Sequence, residues 1–288
     1  MPTASIVFEF DPLLRLSDGI VVRWQTVALI VVIASGLILA GLIARREGLR
    51  SDDLLFIAVA TVPGAVVGGR IGYVLLHLDY YGINSTAILD AGQGSLELGL
   101  AVVGGACSGS YVAALLGAPL GRWMRTAILP LLLVLGAGKL TMVLGGAGQG
   151  LPADLAWATA YAGPGPWGSL GAALPSHPAQ AYEGIGTLLL ALGLTLALAA
   201  GAFGVRDGRL FLVGLGGWAA IRAVASLAWR DPTVMLGLNA AGLIAAIVAI
   251  ASLLGFLRMA RRRARPSPDA PGSAGDVTWA DPEARPRF

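Results

Sequence analysis

Cysteine, histidine and charge are all scarce in this sequence, and each scarcity removes a class of protein. Cys107 is the one cysteine among 288 residues, so no internal disulfide forms and a disulfide framework is excluded. The only histidines, His77 and His177, belong to no spaced ligand cluster, and no metal site is expected. Asp, Glu, Lys and Arg supply 13% of the chain against 56% for the apolar types, and the mean hydropathy is +0.75. Soluble domains carry roughly 25% charged residues, so a water-soluble fold is excluded. The order of a signal peptide is missing too, because acidic Glu9 and Asp11 precede any apolar core and no small-residue cleavage site follows. The first apolar span is therefore expected to stay in the mature protein.

Long apolar runs are what the chain does have. Crossing a hydrocarbon core of roughly 30 Å takes about 20 residues, and such windows recur over Val21 to Ile43, Leu54 to Leu76, Leu96 to Gly117, Ala127 to Gly145, Ala181 to Ala202, Leu210 to Ala228 and Val234 to Leu257. They are too long and continuous for barrel strands, and backbone groups in lipid must bond within their own segment. The expected fold class is an all-α integral membrane bundle of about seven transmembrane helices. Cys107, flanked by Gly105, Ala106, Ser108 and Gly109, is expected at a tight helix contact.

Basic residues alternate from one connection to the next. Arg45, Arg46 and Arg50 follow span one; Arg122 and Arg125 precede span four; Arg206 and Arg209 precede span six; Arg258, Arg261, Arg262, Arg263 and Arg265 follow span seven. The connections from His77 to Ser95 and from Gly146 to Gln180 hold no Lys or Arg. Retention of basic residues on the cytoplasmic side predicts the amino terminus outside and the carboxyl terminus inside. The net charge of +3 and pI near 9.3 come largely from the tail, which reads as an anchor beside anionic lipid, with no nucleic-acid partner. Residues 1–260 form the expected membrane domain, with an outer loop over 146–180. Residues 261–288, rich in Pro, Asp, Ala and Arg, are expected to be disordered.

Three cations sit inside the apolar runs: Arg70, Lys139 and Arg222. A charge at mid-bilayer depth costs on the order of 3 kcal/mol even on lenient insertion scales, so it is kept where it faces the bundle interior, water or an anionic partner. An anionic ligand within the bundle is the sharper expectation, and snorkelling or structural pairing the plainer one. Glu97 near the outer end of span three reads as a site group or a solvated one. The long outer loop ends in His177-Pro178-Ala179-Gln180-Ala181-Tyr182-Glu183. These residues either build a site or cap span five and knit it to the loop, proline being favoured in a first helical turn. Asp79-Tyr80-Tyr81 places two rings at the interface, where aromatic belts occur without further function.

Here the sequence resembles a known family, the prolipoprotein diacylglyceryl transferases of bacterial inner membranes, from about Ile6 to about Ala251. Val22-Arg23-Trp24, Gly69-Arg70-Ile71-Gly72-Tyr73-Val74, Asp79-Tyr80-Tyr81 and Gly104-Gly105 stand where that family has close equivalents. His177 to Glu183 is similar to its His-Pro-Ser-Gln-Leu-Tyr-Glu motif, and Arg230 before Pro232 resembles its Arg-x-Pro. The resemblance implies that the diacylglyceryl group of phosphatidylglycerol passes to the lipobox cysteine thiol of a preprolipoprotein, forming a thioether and releasing glycerol phosphate. No cofactor is implied. A thiolate attacks well and a phosphate leaves well when its charge is matched, a task for buried Arg and Lys. The residues expected at the lipid are Arg70, Tyr73, Lys139, Gln180, Tyr182, Arg222 and Arg230.

Several polar positions of the family differ here. Its Gly-Leu-Ser-Phe-His-Gly-Gly motif aligns with Gly99-Leu100-Ala101-Val102-Val103-Gly104-Gly105, so Val103 replaces the histidine. Its Gly-Arg-Ile-Gly-Asn-Phe-Ile-Asn-Gly-Glu signature has Lys139 for the arginine, Met142 for the first asparagine and Ala147 for the glutamate; Gln25 replaces a tyrosine. Arg222 stands one position from the family's arginine, and one residue turns a helix by about 100°, which leaves open whether it replaces that cation. Either His177, Glu97 or Glu183 has taken over proton transfer, since a tuned histidine or carboxylate serves as a general base, or the chain binds anionic phospholipid without transferring it. A small transporter is the reading from another class, but the repeated halves expected of one are missing.

Overall fold

Apolar helices side by side in lipid have no hydrophobic force to join them, so close backbone approach and buried polar contacts decide how they assemble. The computed structural model describes residues 5–17, 19–90, 95–169, 171 and 173–264. Among the described residues, seven helices are long and apolar enough to cross a membrane. They are α1 (Trp24–Arg46), α2 (Ser51–Leu76), α4 (Leu98–Leu115), α5 (Leu120–Thr141), α6 (Ala179–Ala199), α7 (Arg209–Ala225) and α8 (Ala240–Ala264), with one further short helix, α3 (Leu78–Tyr81). The chain is a multi-pass membrane protein with an all-α bundle. Its strands pair only into two-stranded ribbons among the described residues.

Helices α2 and α4 meet along a stripe of glycines. A Cβ on Gly68 would lie 2.2 Å from the Leu100 carbonyl oxygen, and one on Gly104 would lie 2.1 Å from that of Gly64. Cys107, expected in such a contact, is exposed; it stands one residue, about 100°, around the helix from Ser108, whose hydroxyl does face Gly64. Apolar packing concentrates elsewhere, where Ile128 and Leu132 of α5 meet Leu194 of α6, Trp218 of α7 and Val248 of α8.

Spans four and seven depart most from the sequence expectation. Helix α5 starts at Leu120, before the predicted Ala127, and takes Arg122 and Arg125 into its first turns. These donate to the carbonyls of Glu47 and Phe203, so each cation finds an acceptor without leaving the helix, and Arg206 lies 3.0 Å from the Glu47 carboxylate. The last span starts at Ala240, because Thr233–Met235 and Leu238–Asn239 form a small antiparallel ribbon around Gly237 at φ +75°. Asn239 then caps α8 by accepting from the Gly242 amide at 2.7 Å. The same helix runs to Ala264, and the rest of the tail expected to be disordered, 265–288, lies outside the described residues.

The long loop over 146–180 folds over one end of the bundle, tied down by the start of the chain. Strand β1 (Ile6–Phe8) pairs in parallel with β4 (Thr159–Tyr161), while β2 (Leu13–Ser17) and β3 (Ile20–Arg23) form a hairpin that leads into α1. Phe8 stacks on Tyr161 at 5.1 Å, and Trp167 packs against both Tyr161 and Phe10. Gly163 is required there: a Cβ on it would lie 2.5 Å from the Glu9 backbone.

Candidate functional site

Beneath this cap, α5, α6 and α7 bring their charges together. Lys139 lies in the last turn of α5, Glu183 one turn into α6, and Arg222 in the last turn of α7. Arg222 donates from Nη1 to Glu183 Oε1 at 2.9 Å and from Nη2 to Glu97 Oε1 at 3.2 Å. Lys139 Nζ lies 3.1 Å from Glu183 Oε2. Glu97 also caps α4, each oxygen accepting from a backbone amide, Gly99 and Leu100, at 2.7 Å. Both acids and Arg222 are buried. Taking such charges out of water costs several kcal/mol per ion unless they are paired and hydrogen-bonded; here two acids and two cations compensate one another.

Beside the pairs lies a cavity of about 300 Å³ lined by Lys139, Gly148, Gln149, Gly168, Ser169, Gln180, Arg222, Trp229, Arg230 and Asp231. Trp229 offers its ring to both cations, at 5.2 Å from Lys139 Nζ and 4.7 Å from the Arg222 guanidinium, a contact favoured by the ring quadrupole. Arg230 is fixed by the Gly150 carbonyl and by Ser176 Oγ, the latter at 2.8 Å. Three cations, two of them with planar forks, converge on one polar space, an arrangement chemically suited to a phosphate-sized anion.

The structure thus brings together Lys139, Gln180, Arg222 and Arg230 around the cavity, with Glu97 and Glu183 behind the cations. His177 and Tyr182 face a neighbouring groove instead, of about 400 Å³, with Leu151, Val224, Ala225, Leu227 and Ala228. There the Tyr182 hydroxyl accepts from Trp157 Nε1 at 2.9 Å and lies 3.2 Å from His177 Nδ1. Arg70 and Tyr73 are elsewhere again. Arg70 donates to the carbonyls of Ala87, Ile88 and Asp90 at 2.6, 2.7 and 3.0 Å and sits near the Tyr73 and Tyr81 rings, at a groove lined by Val66, Ile71 and Leu89. Tyr73 stacks on His77 at 4.2 Å.

Trp229, Asp231, Gln149 and Tyr161 were not singled out by sequence reasoning. Trp229 and Asp231 follow the 3-10 turn over Ser226–Ala228 that ends α7, where helical spacing gives no signal. Gln149 and Tyr161 are brought in by the fold of the loop. Burial pushes the Tyr161 phenol up to about 12 from 10.0, with Gln180 opposing the shift. No group of three or more His, Cys, Asp or Glu side chains fit to hold a metal ion occurs among the described residues.

A family model described as Prolipoprotein diacylglyceryl transferase matches residues 12–258. The chain belongs to the prolipoprotein diacylglyceryl transferase family. Similar relatives carry the name Phosphatidylglycerol--prolipoprotein diacylglyceryl transferase. That of Nitrobacter hamburgensis is 32% identical over 270 residues, 85% of each chain, and that of Bordetella avium 29% identical over 89% of this chain and 97% of its own. The Streptococcus sanguinis relative is 34% identical over a shorter stretch, 35% of this chain and 39% of its own length. Within this family of transferases, the positions that differ here have defined surroundings. Val103 packs against the apolar core, and Met142 reaches Gly148, where a Cβ would meet its methyl at 3.0 Å.

Proposed function

We propose that this protein transfers the diacylglyceryl group of phosphatidylglycerol to the lipobox cysteine of a preprolipoprotein, in a bacterial inner membrane, with its amino terminus outside and the capped cavity toward the outer leaflet. One observation carries the proposal: Lys139, Arg222 and Arg230 converge on a single polar cavity at the arginine-poor end of the bundle. The phosphate of the lipid lies against these cations. The thiolate sulfur bonds to the glyceryl carbon that carried the phosphate, the carbon–oxygen bond breaks, and its electron pair leaves on glycerol phosphate. Cations already in place stabilise that developing charge without reorganisation.

The thiol proton passes to one of His177, Glu97 or Glu183. Glu97 and Glu183 each hold a cation at 3.2 Å or closer, which suits them to positioning Arg222 and Lys139. His177 has one nitrogen on the Tyr182 hydroxyl, leaving the other to take the proton. In this reading Tyr182 orients the ring, Gln180 faces the headgroup, and Arg70 with Tyr73 shapes the neighbouring outer-loop groove.

A second reading has a specific observation behind it. Val103, at the position of the family's histidine, is an apolar packing residue, which favours a homologue that binds anionic phospholipid and transfers nothing. Transfer of labelled diacylglycerol from phosphatidylglycerol to a lipobox peptide by the purified protein decides between them. Turnover that Lys139→Ala and His177→Ala abolish supports the transferase; bound lipid without turnover supports the silent homologue.

A further inference from the structure

The polar cavity holds more than charge. Gln149, Gln180 and Tyr161 are each at least nine-tenths buried, yet Gln149 Oε1 has no hydrogen-bond partner, and the Gln180 amide and the Tyr161 hydroxyl have none beyond each other. Buried polar groups in native folds are nearly always paired, so several orphans in one place call for a ligand. Gln149 and Gln180 both line the cavity that holds Lys139, Arg222 and Arg230. Tyr161 stands next to Gln180, close enough for the amide to influence its phenol.

The orientation of Gln149 follows from its neighbours. Its Nε2 donates to the Thr159 carbonyl at 2.7 Å and to Thr159 Oγ1 at 3.2 Å, which leaves Oε1 as an acceptor. Gln180 offers one acceptor and one donor group, and Tyr161 one hydroxyl that does either. The Gln180 amide, not tied in this way, turns about its broad last torsion at little cost, which carries its two ends to the cavity wall.

We propose that Gln149 and Gln180, with Tyr161 behind them, form a hydroxyl-recognition subsite that selects a polyol phosphodiester headgroup beside the phosphate-binding cations. The inference rests on the phospholipid reading of this cavity. A vicinal diol donates to Gln149 Oε1 and Gln180 Oε1 and accepts from Gln180 Nε2, matching the set. A primary ammonium has donors only and leaves the Gln180 Nε2 group unmatched; an alkyl headgroup matches nothing. Sites built to bond a hydroxyl reject analogues lacking it, because their own buried groups are then stranded.

The test compares two monoanionic lipids that differ in the diol alone, phosphatidylglycerol and phosphatidylpropanol, binding to the full-length protein in nanodiscs of phosphatidylcholine. The wild type is expected to favour phosphatidylglycerol by roughly tenfold or more, and Gln180→Met to bring that ratio close to one. Gln149→Met supplies the same ratio if Gln180→Met does not fold. Equal wild-type affinity for the two lipids overturns the diol subsite while keeping the anion site. Variants that weaken both lipids in proportion, with the ratio kept, overturn it as well. Failure of the wild type to bind either lipid removes the phospholipid reading itself, and the subsite with it.

Discussion

Arg222 and Glu183 stand 39 positions apart in the chain and 2.9 Å apart in space, buried together where α6 meets α7. The pair is shared: Glu183 also holds Lys139, and Arg222 also holds Glu97. Removing one partner strands an opposite charge in a site that has little water to receive it. Glu183→Ala is expected to cost about 3–5 kcal/mol of stability, read as a lowered midpoint in thermal unfolding in detergent. Replacing both, as Glu183→Leu with Arg222→Leu, should cost less than the sum of the single changes. Additive losses would show that the contact carries no coupling.

Lys139 decides the charge preference of the cavity. Its ammonium contacts Glu183 and Trp229 and faces the same space as Arg222 and Arg230. Lys139→Ala is expected to weaken phosphatidylglycerol binding by about tenfold or more, the scale of a lost charge-assisted contact, and phosphatidylcholine binding far less. Vesicle competition reads the ratio, and equal weakening of both lipids would count against an anion site.

The α2–α4 contact tolerates no side chain at Gly68, where a Cβ would sit 2.2 Å from the Leu100 carbonyl oxygen. That atom is backbone and cannot swing aside. Gly68→Val should separate the two helices and lower the unfolding midpoint, whereas Gly193→Ala, at a position with open space, should leave it within error.

Tyr161 sits in the loop over 146–180 with its phenol pushed up to about 12 from 10.0 by burial. A group whose folded value is raised contributes stability that is whole below the unfolded value and is lost as pH climbs through the folded one. Stability should therefore fall between pH 10 and 12, and Tyr161→Phe should flatten that part of the profile. A wild-type phenol titration complete by pH 10 would contradict the shift.

Much of the architecture was legible one residue at a time. Apolar runs long enough to span lipid place α1, α2 and α4 to within a few residues of where they lie, because a backbone in hydrocarbon has one economical conformation. Starts and ends were less legible. Arg122 and Arg125 read as loop residues but ride on α5, since Glu47 and the Phe203 carbonyl reach them from other elements.

The candidate site divides in the same way. Composition and position alone determined that Lys139 and Arg222 must face something other than lipid, because an unpaired cation at that depth is expensive. Tertiary structure decided what they face. Helix α7 lies against α6 so that the Arg222 guanidinium meets Glu183. Arg70, equally intramembrane in sequence, is held by the Ala87 and Ile88 carbonyls of the α2–α4 connection at another groove. Gln149 reaches the cavity, and Tyr161 reaches Gln180, only once the loop folds back against β1. Spacing along one helix is a local quantity that periodicity reveals; which helix faces which depends on glycine contacts and ion pairs between residues far apart in the chain, and those exist only after the bundle has assembled.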